Sequence, residues 1–236
     1  MLLVDGALAP SSLEMELITI LTQAGYAVLP VDTRSAMQHP AFNQQRPRNR
    51  PAFVDQQQIQ ATVNAHRALQ FLEHQPQIDA QRVAVMGLGN TSPAIRMLMD
   101  TRVQQKLAHQ PDAAFAVHVE LYNHCDVYFD TDTTTGAPLI SFRQMFMSVK
   151  DRQACAEQDL ILNTAGSPIE VYGNTVGAPS RYKKLADQAA SSSPTPEAFC
   201  VQAHCRPLEK RGSLLAPPIF TRQLLQALGG HLQEQR

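Results

Sequence analysis

The 236-residue sequence contains no tryptophan and only four cysteines, and its charges almost cancel. Twenty Lys and Arg residues against 21 Asp and Glu residues leave a formal net charge of -1, so no overall field favours nucleic acid or an anionic membrane. No apolar run approaches the roughly 18 residues of a membrane-spanning helix. No internal repeat is present. With 44% apolar residues, a single globular domain over residues 1–236 is expected.

The cysteines and the N-terminus bear on the cellular compartment. Cys125, Cys155, Cys200 and Cys205 lack the spacing of a disulfide framework, so free thiols in a reducing compartment are expected. The N-terminal residues 1–5 lack the basic start and the cleavage site of a signal peptide. The sequence therefore predicts a cytoplasmic protein.

Strand-like and helix-like segments alternate along the first two thirds of the chain, which is typical of a parallel sheet with helices on both faces. The predicted strands cover residues 2–4, 26–31, 83–86, 115–122, 139–142 and 169–172. The predicted helices cover a segment from Ser11 or Ser12 to Gly25, residues 55–75, a segment after residue 91, and residues 150–162 and 219–232. The predicted fold class is α/β, a three-layer α/β/α sandwich with a mostly parallel sheet.

Two long polar segments interrupt this alternation. Residues 33–54 are rich in Pro, Gln, Arg and Asn, and we expect a loop over the C-terminal edge of the sheet. Its Arg46, Arg48 and Arg50 could hold a carboxylate or phosphate, although a solvated loop face is the simpler interpretation. Residues 189–218 are predicted to be irregular, because Ser and Pro dominate them.

The segment RVAVMGLGNT, residues 82–91, has the build of a nucleophile elbow. An apolar strand leads into a turn of small residues and then into a helix, a layout that lifts an attacking side chain above a sheet. When the segment is aligned with the pattern Gly-x-Ser-x-Gly, Gly87 is the first glycine. Gly89 stands at the position of the nucleophilic serine, and Thr91 stands at the position of the second glycine. Because glycine has no side chain, the sequence predicts an elbow without a nucleophile.

Several further segments carry a family resemblance. They are AHRALQFL at 65–72, QPQID at 75–79, RVAVMG at 82–87, GYAVLPVD at 25–32, TGAPLI at 135–140 and PIEVY at 168–172. In order and spacing the chain resembles the dienelactone hydrolase branch of the α/β-hydrolases over roughly residues 1–185. The resemblance implies an open sheet with the site at the C-terminal edge of its strands, and an ancestral activity on esters or lactones.

The resemblance also implies that the sheet is trimmed at its N-terminal edge. Family members have one or two strands before the one that matches residues 2–4. A bared edge strand favours pairing with another chain, so self-association or a partner chain is expected.

The resemblance assigns the remaining catalytic positions as well. The family's acid falls at Met147 or Ser148, and its histidine falls at Gly177. Acyl transfer by this mechanism needs a nucleophile, an imidazole and a carboxylate, and none of the three is at its position. No cofactor is implied.

The expected binding face is the one on which the family carries its active site. Backbone N–H groups of Asn90 and of the loop at Asp5 and Gly6 could survive as an oxyanion site, and Leu88 and Cys125 complete the face. The charge of Asp5 would oppose an anion there.

Three other groups could supply chemistry, and each has a simpler interpretation. Ser92 could be a displaced nucleophile, but capping of the helix is the better expectation. His124 and Cys125 could form a dyad, but a packed cysteine beside an exposed histidine is the better expectation. The cluster of Cys200, His204 and Cys205 lacks a fourth ligand for zinc, and no metal site is predicted.

The leading functional hypothesis is a catalytically inactive homologue that binds a small molecule or a protein partner at the former active-site face. The alternative is a hydrolase that acts on esters or lactones through unconventional residues such as Cys125 or Ser148. A third hypothesis makes the chain a subunit that supports an active relative.

Overall fold

The computed structural model describes residues 2–5, 12–32, 51–107, 114–122, 125, 131–143, 147–173 and 218–233. Its strands are β1 (Leu2–Asp5), β2 (Leu29–Asp32), β3 (Ala84–Leu88), β4 (Val117–Leu121), β5 (Leu139–Arg143) and β6 (Ile169–Gly173). Its helices are α1 (Ser12–Gln23), α2 (Pro51–Glu73), α3 (Ser92–Met97), α4 (Thr101–Leu107), α5 (Val149–Thr164) and α6 (Pro218–Gln233), with short 3₁₀ turns at Ala80–Arg82 and Gly89–Thr91.

The six described strands form one sheet in the order β2-β1-β3-β4-β5-β6. Every neighbouring pair is parallel, and the register places Leu88 beside Leu121 and Leu121 beside Phe142. Because all the strands run the same way, their carboxyl ends meet at one edge of the sheet. The predicted α/β class with a mostly parallel sheet is confirmed.

Two hydrophobic clusters cover the two faces of the sheet. On one face α1 and α6 pack against Met86 and Val119 of the central strands. On the other face α2 and α3 pack against Val85 and Leu139. The central strands β3 and β4 are buried on both faces, which explains the apolar sequence of β3, whereas β4 carries two buried polar residues, His118 and Glu120. The three layers predicted from the alternation of strands and helices are present.

Helix α1 ends as its sequence predicts. Gly25 has φ +88°, the left-handed conformation that glycine adopts without steric cost. The Tyr26 N–H donates to the Leu21 carbonyl at 3.0 Å, and the Gly25 N–H donates to the Thr22 carbonyl at 3.0 Å. Strand β2 begins only at Leu29, three residues later than predicted, and residues 26–28 connect the helix end to the sheet.

Strands β2 and β6 are the outer strands of the described sheet. Pro30 lies within β2 and has no N–H to offer to a further strand, which weakens this edge as a template for pairing. Self-association stays a prediction. Among the helices of the described segments, none combines the length and the apolar character that crossing a membrane requires.

A histidine lies inside the sheet. His118 of β4 is completely buried, and its ring meets that of Phe115 edge-on, with 6.0 Å between the centroids. Neither ring nitrogen makes a hydrogen bond of standard geometry. Burial lowers the pKa of His118 to about 4, against the opposing influence of the Pro138 and Leu98 backbones. His118 is therefore neutral in the folded protein at pH 7.

We expect His118 to make the fold sensitive to acid. Its pKa lies below the ordinary value of 6.5, so its stabilising contribution is complete above that pH and is lost as the pH falls towards 4. The full loss amounts to about 3 kcal/mol. His118→Leu should remove most of this pH dependence, as measured by urea unfolding between pH 7 and pH 4.

His74→Leu is the matched control, because it replaces a histidine that is exposed in the folded protein. It should leave the slope of unfolding free energy against pH unchanged. An identical slope in the His118→Leu variant and the parent protein would contradict the prediction.

Candidate functional site

The turn between β3 and α3 carries the elbow geometry. Gly89 has φ +51°, directly after the extended Leu88 with φ -114° and ψ 130°. The Thr91 hydroxyl accepts from the Leu88 N–H and donates to the Leu88 carbonyl, both at 3.0 Å. Thr91, at the position of the family's second glycine, therefore closes the turn with its own side chain. The backbone of the elbow is present at Gly89 without a side chain to present.

Glycine is favoured at the two glycine positions of the motif, 87 and 89, for different physical reasons. A Cβ at Gly87 would lie 2.6 Å from Ile95 Cγ1 and 3.0 Å from the Thr91 carbonyl oxygen, because α3 packs closely on β3. A Cβ at Gly89 would meet no heavy atom of the described residues within 4 Å. Packing therefore requires glycine at 87, whereas at 89 only the left-handed backbone favours it.

Ser92 differs from its expected capping role. Its hydroxyl is fully buried and lies 3.1 Å from the Gly87 carbonyl oxygen and 2.9 Å from the Leu121 carbonyl oxygen. The hydroxyl thus donates to carbonyl oxygens instead of accepting from N–H groups at the start of the helix. It connects the ends of β3 and β4, and it is not exposed as a nucleophile.

The end of β4 lies beside the elbow. Leu88 and Leu121 are register partners, so Gly89 and Tyr122 are the next residues on adjacent strands. Tyr122 has φ +63° and Cys125 has φ +53°, conformations that cost residues with a side chain about 1–2 kcal/mol each. Among the described residues, the buried Tyr122 hydroxyl has no hydrogen-bond partner, and burial raises its pKa. Strained backbone therefore lies at the carboxyl end of β4, beside the left-handed Gly89 at the end of β3.

Cys125 is not the free thiol that the sequence predicts. It forms a disulfide with Cys155 of α5, 30 residues later in the chain. The bond ties the segment after β4 to α5, and chain entropy gives such a loop about 3.5 kcal/mol of stabilisation. The expectation of free thiols is wrong for this pair, and Cys125 cannot serve as a nucleophile while the bond is closed. The error arose because the spacing of two cysteines does not reveal that the fold brings them together.

The positions matched to the family's acid have structural roles. Met147 is 7% exposed and packs in a small cluster with Cys125 and Cys155. Ser148 caps α5, because its hydroxyl accepts from the Asp151 N–H at 3.0 Å. Neither residue carries a carboxylate or a free nucleophile at this edge.

Other predicted positions are only partly described. Asp5 ends β1 and pairs in register with Asp32, and Asn90 lies in the 3₁₀ turn after Gly89. The remaining candidates lie outside the described residues: Gly6, Arg46, Arg48, Arg50, His124, Gly177, Cys200, His204 and Cys205.

A buried ionic network lies next to the elbow. Arg96 of α3 and Glu120 of β4 are 1% and 0% exposed. Arg96 Nε donates to Glu120 Oε2 at 2.9 Å, and Arg96 Nη2 donates to Oε1 at 2.6 Å. The Ser141 hydroxyl also donates to Oε1 at 2.6 Å. This bidentate pair attaches the elbow helix to the sheet.

Helix α5 completes the network. Arg96 Nη2 also donates to Asp159 Oδ1 at 2.9 Å, and Arg143 of β5 donates to Asp159 Oδ2. Arg96 Nη1 lies 3.4 Å from Gln158 Oε1, and Gln158 Nε2 donates to the Cys125 carbonyl at 3.0 Å. Burial by itself lowers the pKa of Arg96, but Glu120 and Asp159 outweigh it and raise the pKa. The guanidinium is therefore charged at every pH at which the protein is folded.

This network was not predicted from the sequence, although the sequence contains two signals of it. A charged residue, Glu120, stands between two apolar residues, Val119 and Leu121, inside a buried strand. Arg96 follows the inward-facing Ile95 on a short helix. Each signal alone is also typical of a strand edge or a solvated helix face, and pairing them requires the tertiary structure.

Comparisons with known proteins place the fold. No family model matches the chain, and no curated protein matches it. Solved structures that are similar to the chain include the following two. One is an α/β hydrolase enzyme from a Medee basin deep-sea metagenome library, with TM-score 0.53 and 12% identity over 99% of this chain and 84% of that chain. The other is a dienelactone hydrolase-like promiscuous phosphotriesterase from metagenomic libraries, with TM-score 0.52 and 12% identity over 97% of this chain and 84% of that chain.

These similarities establish an architecture. The chain has the α/β-hydrolase fold, as the sequence resemblance predicts. At 12% identity they carry the fold alone, because one fold hosts many functions.

The buried pair yields a stability prediction. Arg96→Met should lower the free energy of unfolding by about 3–5 kcal/mol, because it leaves Glu120 buried without its partner. The double variant Arg96→Met/Glu120→Gln should recover part of that loss. Urea unfolding of the two variants and the parent protein measures both effects.

Arg67→Met is the matched control. The Arg67 side chain is exposed on α2. Its loss should cost about 0.5 kcal/mol or less. An Arg96 variant as stable as the Arg67 variant would contradict the role assigned to the buried pair.

Proposed function

We propose that this chain is a non-catalytic protein of the α/β-hydrolase fold that binds a small molecule at the former active-site face. The observation that carries the proposal is Gly89, which holds the left-handed elbow position and where an added Cβ would meet no heavy atom of the described residues within 4 Å. An elbow backbone that has kept its shape without a reactive side chain supports binding in place of reaction.

The neighbouring residues support the same proposal. Within the described part of the chain, the residues considered as replacement nucleophiles are committed to other bonds. Ser92 bonds two carbonyl oxygens, Cys125 is in a disulfide, and Ser148 caps a helix. Met147 brings a thioether where the resemblance places an acid. These contacts support the binding proposal over a hydrolase that uses Cys125 or Ser148.

The class of ligand follows from the fold's use in its neighbours. One similar structure is titled an α/β hydrolase and the other a dienelactone hydrolase-like phosphotriesterase. We therefore propose an ester, a lactone or a related carbonyl compound, held without turnover.

Restoring the nucleophile should not restore the activity. In Gly89→Ser a hydroxyl stands in the elbow, but the position matched to the base is Gly177, so no imidazole would activate it. We expect turnover of 4-nitrophenyl butyrate equal to that of Gly89→Ala, which carries the same backbone strain without the hydroxyl. Labelling by a fluorophosphonate probe should be equally low in both variants.

Faster turnover by Gly89→Ser than by Gly89→Ala would show that a base lies elsewhere in the chain. Labelling of the unaltered chain at a mapped Ser or Cys would overturn the non-catalytic proposal itself.

Ligand binding can be tested at the same position. A leucine at residue 89 would occupy the space in which an added Cβ meets no described heavy atom, so Gly89→Leu should abolish binding of γ-butyrolactone and of methyl 4-phenylbutyrate, followed by ligand-observed NMR. Gly25→Leu is the matched control, because Gly25 is also left-handed and surrounded by open space, at the end of α1. Equal binding by the two leucine variants would place the ligand elsewhere.

A further inference from the structure

The disulfide and the buried ionic network are joined through one side chain. Gln158 follows Cys155 by three residues on α5, which places both on the same face of the helix. Its amide nitrogen donates to the Cys125 carbonyl at 3.0 Å, and its amide oxygen lies 3.4 Å from Arg96 Nη1. Gln158 is 4% exposed, so these contacts are made away from water.

Arg96 continues the connection to the elbow. It lies on α3, which follows the Gly89 turn directly, and it holds Glu120 on β4 with two hydrogen bonds. A movement of α5 away from the segment after β4 would withdraw Gln158 and Asp159 from the Arg96 guanidinium. The contacts therefore form one continuous route from the sulfur atoms to the elbow helix.

The segment at the other end of the bond is under strain. Cys125 has φ +53°, a conformation that an ordinary residue keeps only where its surroundings fix it. The covalent bond to Cys155 and the hydrogen bond from Gln158 are among the contacts that hold it there. Loss of the covalent bond would allow Cys125 to leave this conformation and to withdraw its carbonyl from Gln158.

We propose that the Cys125–Cys155 disulfide is a clamp that sets the position of the elbow helix α3 through Gln158 and Arg96. The sulfur-bearing residues are 3% and 0% exposed, so the clamp is closed as the chain folds and resists later reduction. The shape of the former active-site face then depends on whether the chain folds in oxidising or reducing surroundings. The inference concerns conformation and holds whether or not the face binds a small molecule.

Closing the clamp is a two-electron oxidation. The two thiols lose two protons and two electrons as the S–S bond forms. A disulfide reagent such as oxidised glutathione accepts them through thiol–disulfide exchange and leaves as two thiols.

Amide hydrogen exchange followed by mass spectrometry tests the clamp. In Cys125→Ala/Cys155→Ala, exchange should rise about tenfold or more in peptides covering residues 87–98 and 118–125, because local opening becomes easier there. Peptides covering residues 58–72 of α2 should be unchanged. Cys200→Ala/Cys205→Ala is the matched control, since it removes two cysteines and keeps the clamp.

A second variant tests the connection through Gln158, and its result does not depend on how the double cysteine variant folds. Gln158→Ala in the oxidised protein should raise exchange in residues 87–98 while the disulfide stays intact. Glu157→Ala, at an exposed neighbouring position, should not. The proposal is overturned if residues 87–98 exchange as in the parent protein in the Gln158 variant, or if α2 loosens as much as the elbow in the cysteine variant.

Discussion

The buried guanidinium of Arg96 is the constraint on which the edge of the sheet depends. A charge that is 1% exposed must be fully paired, and Glu120, Asp159 and Gln158 provide that pairing from β4 and α5. Because these partners belong to two elements other than α3, satisfying one cation fixes the relative positions of α3, β4 and α5. The elbow helix is also held by the close contact between Gly87 and Ile95, the residue before Arg96.

This arrangement separates the scaffold of the site from its chemistry. The turn at Gly89, the bonds of Thr91 and the buried hydroxyl of Ser92 keep an elbow in shape, although no nucleophile is presented. Where the resemblance places an acid, Met147 packs on a disulfide. Covalent and ionic bonds thus hold the strand ends and the elbow helix at this edge in one arrangement.

Much of the fold could be predicted, and the reasons are local. Three features are set by residues that are close together in the chain, so they can be predicted from the sequence alone. They are the strands β3 and β4, the glycine that ends α1, and the alternation of strands with helices. The ends of strands were less predictable. Strand β2 begins late because the connection from α1 uses residues 26–28, and β4 ends where Tyr122 adopts a left-handed backbone. These limits depend on neighbours distant in sequence.

The sequence by itself determined the α/β layout, the elbow and the glycine at its centre, because each follows from residues adjacent in the chain. Only the tertiary structure decided the pairing of Cys125 with Cys155 and of Arg96 with Glu120. Each of these contacts joins residues at least 24 positions apart. Their formation depends on how parallel strands and helices α3 and α5 stack, and no local pattern encodes that stacking.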